Sequence, residues 1–302
     1  MILYKYRSIS SNTEKIFTDK KVWLSNAEGL NDPFECSIQE IAKEWIDKKV
    51  HEMKQAHMSG LVFAFLMSKQ SKSPFFGLTF QEAQKAMDVF KTLETLDEKY
   101  QYYREFMKSR NGNYPTNPID TFLGFDQQLN EVGIFSLSET AENQLMWSHY
   151  GEDTKGIAIG FSVELNSKLS DRNLCVQANY SDTLPSFTDN GFLNELSYYL
   201  DENGVQYTKQ KISFTDPTFK LAVSTKPAVW NYEREWRYIE EKSGAYPLPA
   251  KITELVFGLR CTSENKERYK ELAKTNFTHP ISFFEIQRIP NTNSIIKVEL
   301  PQ

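Results

Sequence analysis

The stretch Trp230-Asn231-Tyr232-Glu233-Arg234-Glu235-Trp236-Arg237-Tyr238-Ile239 admits two local structures, and the choice between them decides the fold. As a helix it would set Glu233 and Arg237 at i,i+4, a surface pair that contributes only about 0.2–0.5 kcal/mol. As a strand it sets Glu233, Glu235 and Arg237 on one face and Arg234, Trp236 and Tyr238 on the other. The run Trp236 to Ile239 is rich in strand-favouring residues, so the extended reading is preferred. Two carboxylates about 7 Å apart on a strand entering a core are costly unless paired or put to use.

Working outward, Ile2 to Ser8 alternates as a strand does, Thr13 to Phe17 suggests a short helix, and Lys21 to Ser25 a second strand. Further strands are expected at Gly133 to Ser138, Gly156 to Phe161, Glu254 to Gly258, Phe283 to Arg288 and Ile295 to Val298. Helical spacing marks Phe34 to about Met67, Thr79 to about Arg110, Leu123 to Leu129, Asn143 to Tyr150, Phe192 to Leu200, Pro217 to Ser224 and Glu264 to Lys274. A turn-rich break falls at Asn111 to Pro118. With no repeat or flexible linker, the simplest architecture is one α+β domain over 1–302, its strands drawn from both ends of the chain and a mainly helical insertion at 36–130.

The 302 residues are 40% hydrophobic and 25% charged, an ordinary globular composition that can bury a core. A net charge of −5 excludes non-specific coating of nucleic acid, since any phosphate contact would need a local basic patch. Arg104, Lys108 and Arg110 beside Tyr102 and Tyr103 could form such a patch, but a charge run on a helix is more often a solvated face. Cys36, Cys175 and Cys261 lie far apart, in none of the spacings of zinc sites or disulfide frameworks, which fits a reducing cytoplasm. The chain starts without an apolar signal region, and its longest apolar run, Leu61 to Met67, is too short to span a bilayer, so a cytoplasmic protein without membrane contact is expected.

Four stretches concentrate chemistry. In Tyr4-Lys5-Tyr6-Arg7-Ser8 strand alternation puts Lys5 and Arg7 on one face, either as solvated cations or as a clamp for a diphosphate. Ser25 to Glu35 is a polar loop whose end reads well as a helix start, with Asp32 as N-cap, Pro33 at the first helical position and Glu35 at the third. Ser136 and Ser138 share a strand face, and Trp147 and Tyr150 share a helix face, as ligand-holding groups or, for the two rings, as a core stripe. His149 lacks a second ligand nearby, so no metal site is expected there. The fourth stretch holds Glu233 and Glu235.

In this order the four stretches resemble the bacterial family catalogued as domain of unknown function 2971. The resemblance rests on Leu3 to Arg7, Trp23 to Asn26 with Asn31 to Glu35, Phe135-Ser136 through Met146 to Tyr150 with Gly156 and Gly160-Phe161, Trp230 through Arg237, and the closing Ile252 to Gly258. An opening strand with a cation, a serine-aromatic junction and a late Glu-x-Glu, here Glu233-Arg234-Glu235, is in turn similar to the ADP-ribosyltransferases. That resemblance implies a split mixed β core and an enzyme that cleaves NAD and passes ADP-ribose to a nucleic-acid or protein acceptor, with no metal. It also implies a toxin or phage-defence role, with an antitoxin or regulatory partner.

The chemistry is consistent. Loss of nicotinamide develops positive charge on the ribose, which a nearby carboxylate stabilises. By the resemblance Glu235 is that carboxylate and Glu233 the base for the acceptor; Arg7 or Lys5 holds the diphosphate, Ser25, Ser136 and Ser138 orient the ligand, and Trp147 or Tyr150 stacks on nicotinamide. Two other readings stand beside it: a nuclease holding Mg²⁺ on Asp32, Glu35, Glu233 and Glu235, and a non-catalytic nucleotide sensor or interaction module using Arg7 and the Trp147 region.

Overall fold

A computed structural model describes residues 1–75, 78–111, 115–187, 192–201 and 204–301. The first half of the chain forms β1 (Ile2–Arg7), α1 (Ser11–Thr18), β2 (Lys21–Leu24), α2 (Lys43–Ser71), α3 (Phe80–Thr92), α4 (Leu96–Asn111), α5 (Pro118–Leu123), α6 (Phe125–Glu131), β3 (Gly133–Ser138) and α7 (Gln144–Tyr150). The second half forms β4 (Ile157–Ser162), β5 (Cys175–Gln177), β6 (Asn179–Tyr180), β7 (Asn194–Asp201), β8 (Gly204–Ile212), α8 (Pro217–Ser224), β9 (Thr225–Lys226), β10 (Glu235–Glu240), β11 (Gly244–Pro247), β12 (Ile252–Phe257), α9 (Ser263–Asn276), β13 (Ser282–Arg288) and β14 (Ile295–Glu299). No described helix is long and apolar enough to cross a membrane.

The fold is α+β. The chain divides into two compact units: Met1–Ile38 with Gln128–Pro185 and Lys220–Gln302, and Gln39–Gln127 with Ser186–Phe219. The first unit holds an eight-stranded mixed sheet in the order β14-β13-β12-β4-β1-β3-β10-β5. All its neighbours are antiparallel except β12 and β13, which run parallel and are joined through α9. The opening strand thus lies inside the sheet, flanked by strands from later in the chain, because β1 has apolar residues on both faces. Leu3 joins Phe135, Leu137, Ile159 and Trp236 in one core layer, beneath α1 and α9. Tyr4 and Tyr6 join Met146, Trp147 and Val256 in the layer on the other side. Phe17 of α1 meets Tyr269 of α9 edge-on, ring centroids 5.7 Å apart. Burying an aromatic of this size contributes about 1.5–3 kcal/mol, so this contact anchors both helices.

One seam in the sheet positions the site. β1 pairs with β4 along its whole length but with β3 only at Tyr4↔Ser138. Towards Arg7 the two strands part, and the edge of β3 at Ile134 is taken instead by Ser25, just after β2.

The second unit, taken by itself, packs α2, α3 and α4 around Met58, Leu61, Ala86, Phe90, Tyr100 and Tyr103. Thr79 and Glu82 form a reciprocal cap at the start of α3. Two expectations need correction here. The helix expected from Phe34 begins only at Lys43, and the one expected at Phe192 to Leu200 is β7, paired antiparallel with β8. Tyr198, Tyr199 and Tyr207 favour strands, and a partner strand decides what local spacing left ambiguous. The break expected at 111–118 falls partly on residues 112–114, outside the described residues.

Candidate functional site

Where β1 and β3 part, a cavity of about 250 Å³ opens, lined by residues of β1, the 25–31 loop, β3, α7, Lys226, Glu233 and Glu235. Lys5, Arg7, Ser25, Ser136, Ser138, Tyr150, Glu233 and Glu235 all lie on its wall. Trp147 does not. It is fully buried, its indole N–H donates to the Ala141 carbonyl at 2.7 Å, and its ring meets Tyr6 edge-on at 5.0 Å. Of the two readings of the Trp147/Tyr150 stripe, the core one holds for Trp147, while Tyr150 reaches the cavity.

The acidic end is built from β10 and the turn before it. Ala228–Glu233 is a 3-10 turn that ends in Arg234, held left-handed at φ 45°. That conformation costs a non-glycine residue about 1 kcal/mol, and it lets Glu233 and Glu235 enter the same cluster although only Glu235 lies in the strand. The i,i+4 helical pair of Glu233 with Arg237 is not formed. Instead the Lys226 ammonium stands 2.5 Å from Glu233, 3.1 Å from Glu235 and 3.4 Å from Glu35. Arg237, with no exposed surface, binds Glu235 through Nε at 3.0 Å, pairs with Glu35 through Nη2, and donates to the Val223 carbonyl at 2.7 Å.

Burial alone would push the Glu235 carboxyl up, but Arg237 and Lys226 outweigh it and hold it at about 2. Burial does raise Glu35, against the pull of the same two cations. Burial lowers Lys226, yet its three carboxylates leave it raised overall. Ser138 Oγ donates to the Glu233 carbonyl and Tyr150 OH to the Glu233 carboxylate, each at 2.7 Å, and Asn31 Nδ2 donates to Tyr150 OH at 2.8 Å. The Tyr150 hydroxyl is raised by burial and by Glu233.

The helix-cap reading of Asp32 and Glu35 is corrected by these contacts. Asp32 Oδ1 accepts from the Phe34 amide at 2.9 Å, but no helix follows, since Cys36 turns left-handed at φ 56° and Glu35 is drawn into the cluster. Asp32 Oδ2 accepts instead from the Trp230 indole at 2.6 Å. The nuclease reading loses its geometry as well. Three carboxylates do converge, yet Lys226 already stands at their meeting point, and Asp32 is engaged elsewhere.

The cationic end is different. Lys5 Nζ donates to the Ser136 carbonyl at 2.9 Å and lies 4.8 Å over the Phe135 ring; burial first, and Arg7 second, lower it to about 7. Burial also lowers Arg7, whose Nε is buried without a hydrogen-bond partner among the described residues. The end of β1 is set by Gly156, where a Cβ would fall 2.1 Å from the Arg7 carbonyl oxygen.

Lys226 and the full role of Arg237 went unread in the sequence. One signal existed: Lys226 is the only charged residue between Lys220 and Glu233.

Residues 146–238 match the model of a family described as protein of unknown function, DUF2971. The DUF2971 match takes in the last five residues of α7 together with Lys226, Glu233, Glu235 and Arg237. No curated protein and no solved structure matches the chain.

Proposed function

We propose that the chain is an NAD-consuming ADP-ribosyltransferase whose reaction takes place in the cavity between β1 and β3. The observation that carries this reading is the convergence of three neighbouring strands on one cavity: Lys5 and Arg7 from β1, Ser136 and Ser138 from β3, and Glu235 from β10. Cleavage of the N-glycosidic bond sends the electron pair out with nicotinamide and leaves positive charge on the ribose, so an ionised, fixed carboxylate is what the step requires. Glu235 is ionised at any physiological pH and fixed by Arg237 and Lys226. The incoming acceptor atom bonds to the ribose carbon and gives its proton to Glu233. Arg7 supplies a fork for the diphosphate, and the Tyr150 ring a surface for nicotinamide.

At about 250 Å³ the cavity is smaller than usual small-molecule sites, so it takes the nicotinamide-ribose end of the dinucleotide and leaves the rest outside. The acceptor is a macromolecule, nucleic acid or protein, and a cytoplasmic toxin or phage-defence role with a regulatory partner belongs to the same proposal.

The test is incubation of the purified chain with labelled NAD and cellular RNA, DNA and protein, beside Glu235→Gln. Nicotinamide release and label transfer, both lost in the variant while its melting temperature stays measurable, support the reading. NAD binding without turnover would replace it with a sensor, and neither binding nor turnover would end it.

A further inference from the structure

Helix α7 separates two cavities. Met146 and Tyr150 line the one already described, whereas Gln144 and Ser148, turned roughly 200° away on the helix, line another of about 730 Å³. The remaining wall comes from Thr154, Leu259, Arg260, Ile286, Arg288 and the β13–β14 turn at 292–295. The charged side chains on this wall are both arginines, and no carboxylate joins them, although the chain as a whole has 40 acidic against 35 basic residues.

The two arginines are held differently. Arg260 donates its backbone N–H to the Thr154 carbonyl and its Nε to Thr154 Oγ1, each at 2.9 Å. Thr154 ends three successive left-handed residues, after Glu152 and Asp153, at φ 52°, 51° and 70°. Each of these costs about 1 kcal/mol, so a strained turn is kept where it fixes one guanidinium at its Nε, and among the described residues neither terminal nitrogen of Arg260 has a hydrogen bond. Arg288, on the last residue of β13, is exposed, and among the described residues it takes part in no ion pair or hydrogen bond of its side chain.

We propose that this cavity binds phosphate esters. Two guanidinium forks free of acidic partners match phosphate oxygens in pairs, and the Asn293 amide with the Ser294 hydroxyl supplies neutral donors for the remaining oxygens or for a sugar, while the Gln144 amide and the Ser148 and Thr292 hydroxyls already donate to the Asn293, Gln144 and Ile289 carbonyls. The site is independent of any chemistry in the cavity between β1 and β3.

The full chain would be titrated, by fluorescence anisotropy, with a labelled single-stranded 12-nucleotide DNA and separately with a fluorescent AMP. Binding of either probe, weakened about tenfold by Arg288→Gln and lost in Arg260→Gln/Arg288→Gln, is the expected result, one charge-assisted hydrogen bond accounting for the first step. Preference for the oligonucleotide, with a salt dependence that falls by roughly 0.7 in log–log slope per lost contact, assigns the phosphate to a polynucleotide backbone; preference for AMP assigns it to a free nucleotide. Arg7→Gln separates the two cavities, and loss of binding in that variant alone overturns the proposal. So does failure of both probes to bind the wild type, or undiminished binding in Arg288→Gln, a substitution at an exposed side chain that leaves the fold unchanged.

Discussion

The two ends of the cavity between β1 and β3 hold their charges in opposite ways. At one end Glu35, Glu233 and Glu235 face Lys226 and Arg237 in a closed, nearly dry network in which each charged group has an opposite neighbour within 3.4 Å. At the other, Lys5 and Arg7 are partly drawn out of water without a direct ion pair: Lys5 meets a carbonyl, a ring and Arg7, with only a weaker, more distant pull from Glu235 and Glu233. A buried charge that is paired holds the fold and its own orientation; a buried charge that is unpaired weakens the fold and is retained where something else completes it. The first end is therefore fixed by its own ion pairs, and the second is the one that a bound anion would stabilise.

The comparison is broken most directly by Arg237→Met, which leaves Glu35 and Glu235 facing each other without their guanidinium. The expected loss is about 3–5 kcal/mol of unfolding free energy, read by urea denaturation; a loss below about 1 kcal/mol would show that the network is no more than a surface pair.

Acid titration comes next. The folded-state value for Glu235, about 2, lies below its ordinary 4.5, so its contribution is complete above 4.5 and disappears as pH falls through the interval down to about 2. Glu35 works against it, being raised, so its protonation favours the folded state as pH falls. Melting temperature followed from pH 6 to 2 should drop more steeply in the wild type than in Glu235→Gln.

At the cationic end the sign reverses. Lys5 has a folded-state value of about 7 against 10.5 unfolded, so the unfolded chain binds the extra proton between these values and stability gains as pH rises through them. Lys5→Met should abolish that rise and raise stability at neutral pH. An unchanged alkaline profile in the variant would mean that Lys5 is solvated. The smallest effect expected on the fold is that of Tyr150→Phe, which strips a hydroxyl from Glu233 and Asn31 and should cost about 1–2 kcal/mol while leaving the two ends otherwise intact.

What could be read in the sequence divides along the same line. Strands such as β1, β3 and β10 were legible because their strand-favouring residues alternate with polar ones, as two faces with different surroundings require. So was the grouping of Arg7, Ser138 and Glu235, which strand alternation set apart from the apolar residues and which the fold brings to one cavity wall. The hairpin of β7 and β8 was not, because a strand depends on a partner that local spacing does not disclose. Glu35 was misread for a related reason: its helix-start pattern is good, but a buried guanidinium 202 residues further along the chain outbids a local cap. Lys226 was passed over because a single lysine carries no motif, and its meaning lies in three carboxylates contributed from Glu35, Glu233 and Glu235.

Gly156 extends the site beyond its visible wall. Any side chain there would collide with the Arg7 carbonyl oxygen, 2.1 Å from the first added carbon, and the backbone of β1 would have to give way. A random-mutagenesis screen for lost function should therefore recover position 156 beside the cavity residues, and the Gly156→Ala protein should keep every ligand-contacting side chain while holding one of them in the wrong place.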